Sequence, residues 1–329
     1  MTDARFSRRS FVQCTLAACF AVAAAGAYAQ QSYPARPVRL IVPSAPGGGT
    51  DISARLIAPK LSEYLGQQVI VENRAGAAMM IGGEAVARAA PDGYTLLMGI
   101  STLTVNPAIQ KKMPYDAIRD FAPISLVVSL PNILVSHPSL PTKTVKELIA
   151  FVKARPGQLN FASAGRGSSV HMSMELFLAM TGLKAVHVPY KGSGLAFGDV
   201  MAGYVSLMTP SMLSALPHIK SGKMRAYGVT SAKRASGVPE IPTIAEAGVP
   251  GYEAVQWFGI LAPAGTPRDI VNKLHSGVAR ALQDAELRKR FINDGAEPVG
   301  GTPEEFAALI RSDTAKWAKV IKEAGIKPE

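Results

Sequence analysis

Cysteine is nearly absent: the chain has two in 329 residues, and both, Cys14 and Cys19, fall within its first twenty positions. Past that point no disulfide framework and no thiolate metal site can be drawn. Histidine is scarce too, and His137, His171, His187, His218 and His275 show no ligand spacing of the H-E-x-x-H kind. Charged residues make up 18% of the chain, with no dense Lys/Arg block interleaved with aromatics, which excludes a typical nucleic-acid surface. The apolar run over 11–27 is too short and too small-sided to read as a membrane span.

What is present begins with an export signal. Arg5, Arg8 and Arg9 precede that alanine-rich run, and Ala27-Tyr28-Ala29 offers a small-x-small cleavage site. A periplasmic mature chain starting near Gln30 is expected. Ser7-Arg8-Arg9-Ser10-Phe11 resembles a twin-arginine signal, although Gln13 stands where that motif usually has Lys, so the general secretory route stays open. Leu16-Ala17-Ala18-Cys19 matches a lipoprotein box, but the apolar stretch continues well past Cys19 and favours the soluble form. The full chain carries a net charge of +11. Residues 1–29 hold three Arg and one Asp, so the mature chain keeps +9, a balance that suits small anions. Its length favours two lobes over one.

Strand and helix signals alternate almost throughout, as expected for largely parallel sheets covered by helices. Strands are expected over 38–42, 68–72, 95–100, 159–164, 185–189, 225–230 and 256–262. Helices are expected over 50–65, 83–90, 145–154, 168–181, 195–202, 269–294 and 303–324. The apolar stretch 124–136 contains Pro131 and reads as a strand leaving the first sheet. The implied division is an export segment 1–29, a first lobe 30–130 plus 254–329, and a second lobe 131–253. Ligands of such folds bind at the carboxyl ends of strands.

Two strand-to-helix loops fit an anion. Pro46-Gly47-Gly48-Gly49-Thr50-Asp51 lacks the Lys of a phosphate-binding Walker loop and the spacing of a dinucleotide fingerprint. Contiguous glycines still let backbone N–H groups approach an anion at a helix N-terminus. Thr50 or Asp51 fits the helix cap, which leaves Asp51 either a local cap or a ligand contact. The stretch "NFASAGRGSSVHMSMELF" repeats the design with Gly165, Gly167, Ser168 and Ser169 at the junction. Enzyme patterns fail: Phe161-Ala162-Ser163-Ala164-Gly165 lacks the first glycine of a nucleophile elbow, and nothing orients His171 toward Ser168.

Taken in order, "VPSAPGGGTDISAR", "VENRAGAAMMIGGEAVARAAPDGYTLL", "RDFAPIS", "NFASAGRGSSVHM", "HVPYKGSG", "VPEIPTIAEAGVPGYE" and "W-FGILAPAGTP" cover nearly the whole mature chain. This set resembles the extracytoplasmic solute receptors of the tripartite tricarboxylate transporter system, the Bug family. The resemblance implies a two-lobed α/β fold of the type II periplasmic binding class. It implies a receptor without catalytic activity, cofactor or metal, acting as a monomer that holds an organic acid and passes it to membrane permease subunits. The implied ligand contacts are Gly47, Gly48, Gly49, Thr50 and Asp51 in the first lobe. In the second lobe they are Ser163, Ala164, Gly165, Gly167 and Ser168, with Tyr190 and Lys191 at a further strand end. For Tyr190 and Lys191 a packed ring and a solvated ammonium remain the plain alternative. Ser44 stands where the family commonly has an aromatic residue, and Met79-Met80 replace a stretch usually richer in glycine. Met moulds itself to apolar groups, which admits an aromatic or branched acid. Two rival readings are a secreted esterase using Ser168 or Ser163 with His171, and a binding protein serving a signalling partner.

Overall fold

A run of five residues, VRLIV, forms a strand buried along almost its whole length, the signature of a strand covered on both faces. The computed structural model describes residues 33–323. The expected export segment, with Cys14 and Cys19, lies outside them. The elements below belong to the body that begins at Arg36.

In chain order the elements are β1 (Val38–Val42), α1 (Gly49–Leu65), β2 (Val69–Asn73), α2 (Met80–Ala87), β3 (Thr95–Ile100) and α3 (Thr102–Ile109). The long β4 (Phe121–Pro131) and short β5 (Ile133–Ser136) follow, then α4 (Val145–Lys153), β6 (Asn160–Ser163), α5 (Ser169–Thr181), β7 (Val186–Pro189) and α6 (Ser193–Met201). After them come β8 (Leu207–Met208), α7 (Met212–Lys220), β9 (Arg225–Val229), β10 (Val255–Pro263), α8 (Arg268–Gln283), α9 (Ala285–Asn293), β11 (Glu297–Gly300) and α10 (Pro303–Glu323).

These build two sheets, ordered β11-β4-β10-β3-β1-β2 and β7-β6-β8-β5-β9. In the first, β1 lies between β2 and β3 and runs parallel to both; in the second, β6 lies between β7 and β8 in the same way. The loops leaving β1 and β6 therefore emerge where the chain can turn to either neighbour, the switch point at which α/β sheets leave a crevice. The expected parallel pairing holds in these halves only. Where β10 joins β3 and β4, and β5 joins β8 and β9, pairing is antiparallel, because the strands that link the lobes arrive from the opposite direction.

The expected single strand over 124–136 is two strands in different sheets, broken at Asn132. Asn132 is fully buried, so its polar groups need partners. Its N–H donates to Thr230 Oγ1 at 2.7 Å, its Nδ2 donates to Ser173 Oγ at 2.7 Å, and its Oδ1 accepts from Gln256 Nε2. Ala254 N–H donates to Thr230 O at 2.8 Å, so both passages between the sheets are tied into one network.

Each lobe has its own core. Phe161, Phe177, Leu148 and Tyr252 pack on one face of the second sheet, and Met208, Met212, Phe197 and Val200 on the other. Ile41, Leu97, Trp257 and Phe306 anchor the first. The last helix also packs Trp317 and Ile321 against Val105, Ile109 and Met172, touching α3 and α5 together. Burial of a Phe-sized side chain is worth enough that truncation to Ala costs about 3–5 kcal/mol, so these clusters carry much of the stability of each sheet's surroundings.

Candidate functional site

Three helices of each lobe begin at one cavity of about 390 Å³. Its wall includes Gly49, Met80 and Thr102, the first residues of α1, α2 and α3. From the other lobe come Ser169 and Ser193, the first residues of α5 and α6, and Ser211, the N-cap of α7. Each helix N-terminus carries roughly half a positive charge and orphan N–H donors. The two cationic side chains in the wall, Arg166 and Lys191, are exposed, and among the described residues the wall carries no Asp or Glu. Six helix ends around one volume favour an anion without a buried charged partner.

Of the residues expected from sequence, Gly48, Gly49, Thr50, Ala164, Gly165, Ser168, Tyr190 and Lys191 lie in this wall. Gly47, Asp51, Ser163 and Gly167 lie outside the wall, in the same two loops. Asp51 is 3% exposed. It accepts from Gly47 N–H at 3.0 Å, Arg55 Nε at 3.0 Å and Asn73 Nδ2 at 2.9 Å. Burial alone would raise its carboxyl pKa, but the bonds from Arg55, Gly47 and Asn73 together hold it below the usual carboxylate range. Asp51 thus braces the glycine turn by closing it onto β2.

The glycines differ in what they allow. At Gly48 an added Cβ would meet nothing nearer than 3.7 Å, and its φ of −79° suits any residue. At Gly49 a Cβ would lie 2.2 Å from Ser211 Oγ, an atom of the other lobe, so only glycine lets the lobes meet there. Gly167 has φ +74°, with Asn106 Oδ1 3.1 Å from the Cβ position.

Behind the second loop, His187 stacks on His171 at 4.0 Å and on Phe161 at 4.9 Å between centroids. Its Nε2 lies 2.6 Å from Ser163 Oγ, which also accepts from Gly165 N–H at 3.1 Å. Burial, reinforced by the neighbouring His171 and Arg166, pushes the His187 ring down to about 3. The neutral ring shares a hydrogen bond with the Ser163 hydroxyl and so orients the loop. His171 accepts Gly167 N–H through Nδ1 at 3.1 Å, while Ser168 Oγ accepts the backbone N–H of His171 at 3.1 Å and caps α5. Neither serine is paired with the His171 ring, and Ser163 is fully buried, so the serine–His171 pair of the esterase alternative is not formed. Tyr190 O–H donates to Asp199; burial, then this carboxylate, raises the phenol to about 12.

Several wall residues carried no clear mark in the sequence. Gln256, 1% exposed, accepts from Ser169 Oγ at 2.9 Å and connects the cavity to Asn132. A lone amide in the apolar run VQWFGILAP was the available signal. Thr102, whose Oγ1 accepts from Ser169 N–H at 3.1 Å, and Ser211 begin short helices interrupted by Pro107 and Pro217, which masked the periodicity. Ala77, Ala78 and Met79 form a left-handed turn with φ of +46°, +48° and +75°. Side chains in that region cost about 1–2 kcal/mol per residue.

Residues 53–326 match the family described as tripartite tricarboxylate transporter family receptor. The chain is 41% identical over 298 residues to the protein BugT of Bordetella pertussis, covering 90% of this chain and 91% of that one. It is similar to the R. palustris protein Rpa4515, solved with adipate, at 40% identity and a TM-score of 0.88, over 90% of this chain and all of that one. It is also similar to MatC of Rhodopseudomonas palustris, solved with bound malate, at 34% identity and a TM-score of 0.84, over 88% of this chain and all of that one.

Proposed function

The chain belongs to the tripartite tricarboxylate transporter receptor family, a family of periplasmic receptors, and from that premise we propose that it binds a small organic carboxylate between its lobes and delivers it to permease subunits in the membrane. The observation that carries this reading is the convergence of six helix N-termini on a cavity whose wall has no acidic side chain among the described residues. Gly48, Gly49 and Thr50 meet the carboxylate from the first lobe; Ala164, Gly165 and Ser168 meet it from the second, with Tyr190 and Lys191 at the rim. Gly47, Asp51, Ser163 and Gly167 hold those two loops in shape. Relatives of similar sequence solved with adipate and with malate support the ligand class. Residues 1–29 act as the export signal, removed after Ala29.

The test is a melting screen of the purified protein against carboxylates, followed by recovery of the bound acid. A ligand at about 100-fold above its Kd raises the unfolding free energy by about 2.7 kcal/mol, a readily measured rise in Tm. The acid should return unchanged after long incubation. A screen with no stabilising carboxylate, or a product whose formation is lost in Ser163→Ala or Ser168→Ala, overturns the receptor reading.

A further inference from the structure

Met79 occupies a backbone conformation that glycine would hold more easily. It follows Gly76, Ala77 and Ala78 in the left-handed turn and has φ +75°, yet its side chain is only 8% exposed and lines the cavity. Nothing about the turn's backbone calls for a side chain there; glycine takes the same φ without the Cβ clash. The turn is held by Asn106 Nδ2, which donates to Ala78 O at 2.8 Å, and it faces the second lobe, where Ala78 Cα lies 3.8 Å from the Cβ position of Gly165. What Met79 adds is an apolar, mouldable surface at the ligand's position.

Part of the wall continues that surface, beside polar groups that include Thr50, Thr102, Gln110 and Gln256. Both charged side chains of the wall, Arg166 and Lys191, come from the second lobe. On the first-lobe side Met79 is accompanied by Met80, Ile100 and Phe258, the last two directly opposite in the β3–β10 ladder. Ser44, a small residue of the same wall, leaves the cavity open at about 390 Å³, within the range of pockets that enclose a ring-sized ligand. A second carboxylate turned toward Met79, Ile100 and Phe258 would exchange water for apolar groups, which is unfavourable. A ring or branched chain in that position would be buried with gain.

We propose that the acid held by this cavity carries an aromatic or branched apolar body on a single carboxylate, and that Met79 is the residue that selects for that body. The proposal rests on the carboxylate reading above and narrows it. Calorimetry of the purified protein with benzoate, 3-phenylpropanoate, adipate and malate tests it. One of the two aromatic acids should bind at least about tenfold tighter than either diacid. Met79→Gly and Met79→Asn both accept left-handed backbone, which offsets part of the burial lost with Met79, and melting of the ligand-free variants checks that both fold. In each, the preference for the aromatic acid over adipate should fall at least about fivefold. Tighter binding of adipate or malate than of both aromatic acids overturns the proposal and leaves the carboxylate reading standing. An unchanged preference in the two folded variants overturns the role of Met79. Failure of all four acids to bind, where another carboxylate of the melting screen stabilises the protein, overturns the proposal alone; failure of every carboxylate in that screen overturns the reading beneath it as well.

Discussion

His187 shows how a residue outside the cavity wall sets the shape of a residue within it. Its ring is kept neutral by burial and by the His171 and Arg166 around it, with Glu175 reaching the far side of His171 at 3.3 Å. In the unfolded chain a histidine protonates near 6.5; in the folded protein this one does so only near 3. The unfolded state therefore binds the extra proton as pH falls through that window, and stability falls with it, while above about 6.5 the group contributes no slope. Urea unfolding at pH 7, 6, 5 and 4 should show this loss in the parent, and His187→Phe should lose less over the same interval. Parallel curves for the two proteins would refute the coupling. Asp51 makes the related point that the residue type was legible and the role was not. A carboxylate beside three glycines could face a ligand or the turn, and Arg55 and Asn73, brought in from α1 and β2, decide for the turn.

Helix α5 is the element on which fold and function meet. Ser168 caps it and lines the cavity, so its removal exposes an orphan N–H at both. Ser168→Ala should lower the stability of the ligand-free protein by about 1 kcal/mol, read by chemical denaturation. Ser168→Asp separates the two roles, since Asp caps as well as Ser but brings a negative charge to the anion position. That variant should melt near the parent yet bind carboxylates at least about tenfold more weakly by calorimetry. Retained affinity would mean that the ligand does not approach this helix end. Elsewhere the periodic pattern over 269–294 is two helices rather than one. Asp284 leaves helical geometry with ψ 121°, its side chain accepts Leu287 N–H at 2.8 Å to start α9, and Lys60 Nζ of α1 reaches it at 2.7 Å. An unbroken amphipathic pattern cannot reveal a break that preserves the apolar face of both halves.

Across the whole molecule, the two lobes meet through backbone as much as through side chains. Ala45 N–H donates to Lys191 O at 3.2 Å, and a Cβ on Gly194 would lie 2.0 Å from Pro46 O, a backbone atom with little freedom to move away. Gly194 is helical, the second residue of α6, so alanine there favours the helix itself by up to about 1 kcal/mol. Gly194→Ala should therefore keep the helix while opposing the approach of the lobes seen here, with melting of the ligand-free protein as the check on folding. The expected outcome is at least about tenfold weaker carboxylate binding. Full affinity in a folded Gly194→Ala protein would show that the Gly194–Pro46 contact plays no part in holding the ligand.

By itself the sequence determined the alternation of strand and helix and the two glycine-rich junctions after β1 and β6. These are local matters of periodicity, turn chemistry and residue size, written in contiguous residues. It also determined the family, through an ordered set of loops that no single loop would specify. Only the tertiary structure decided that β4 ends and β5 begins at Asn132, because the break is set by partners at Ser173, Thr230 and Gln256, all distant in the chain. The same holds for the cavity. Thr102, Ser193, Ser211 and Gln256 are ordinary polar residues until two sheets bring six helix ends together. The left-handed turn at Met79 belongs to that level too, since a backbone held against its own preference requires neighbours to hold it, and residue order alone does not name them.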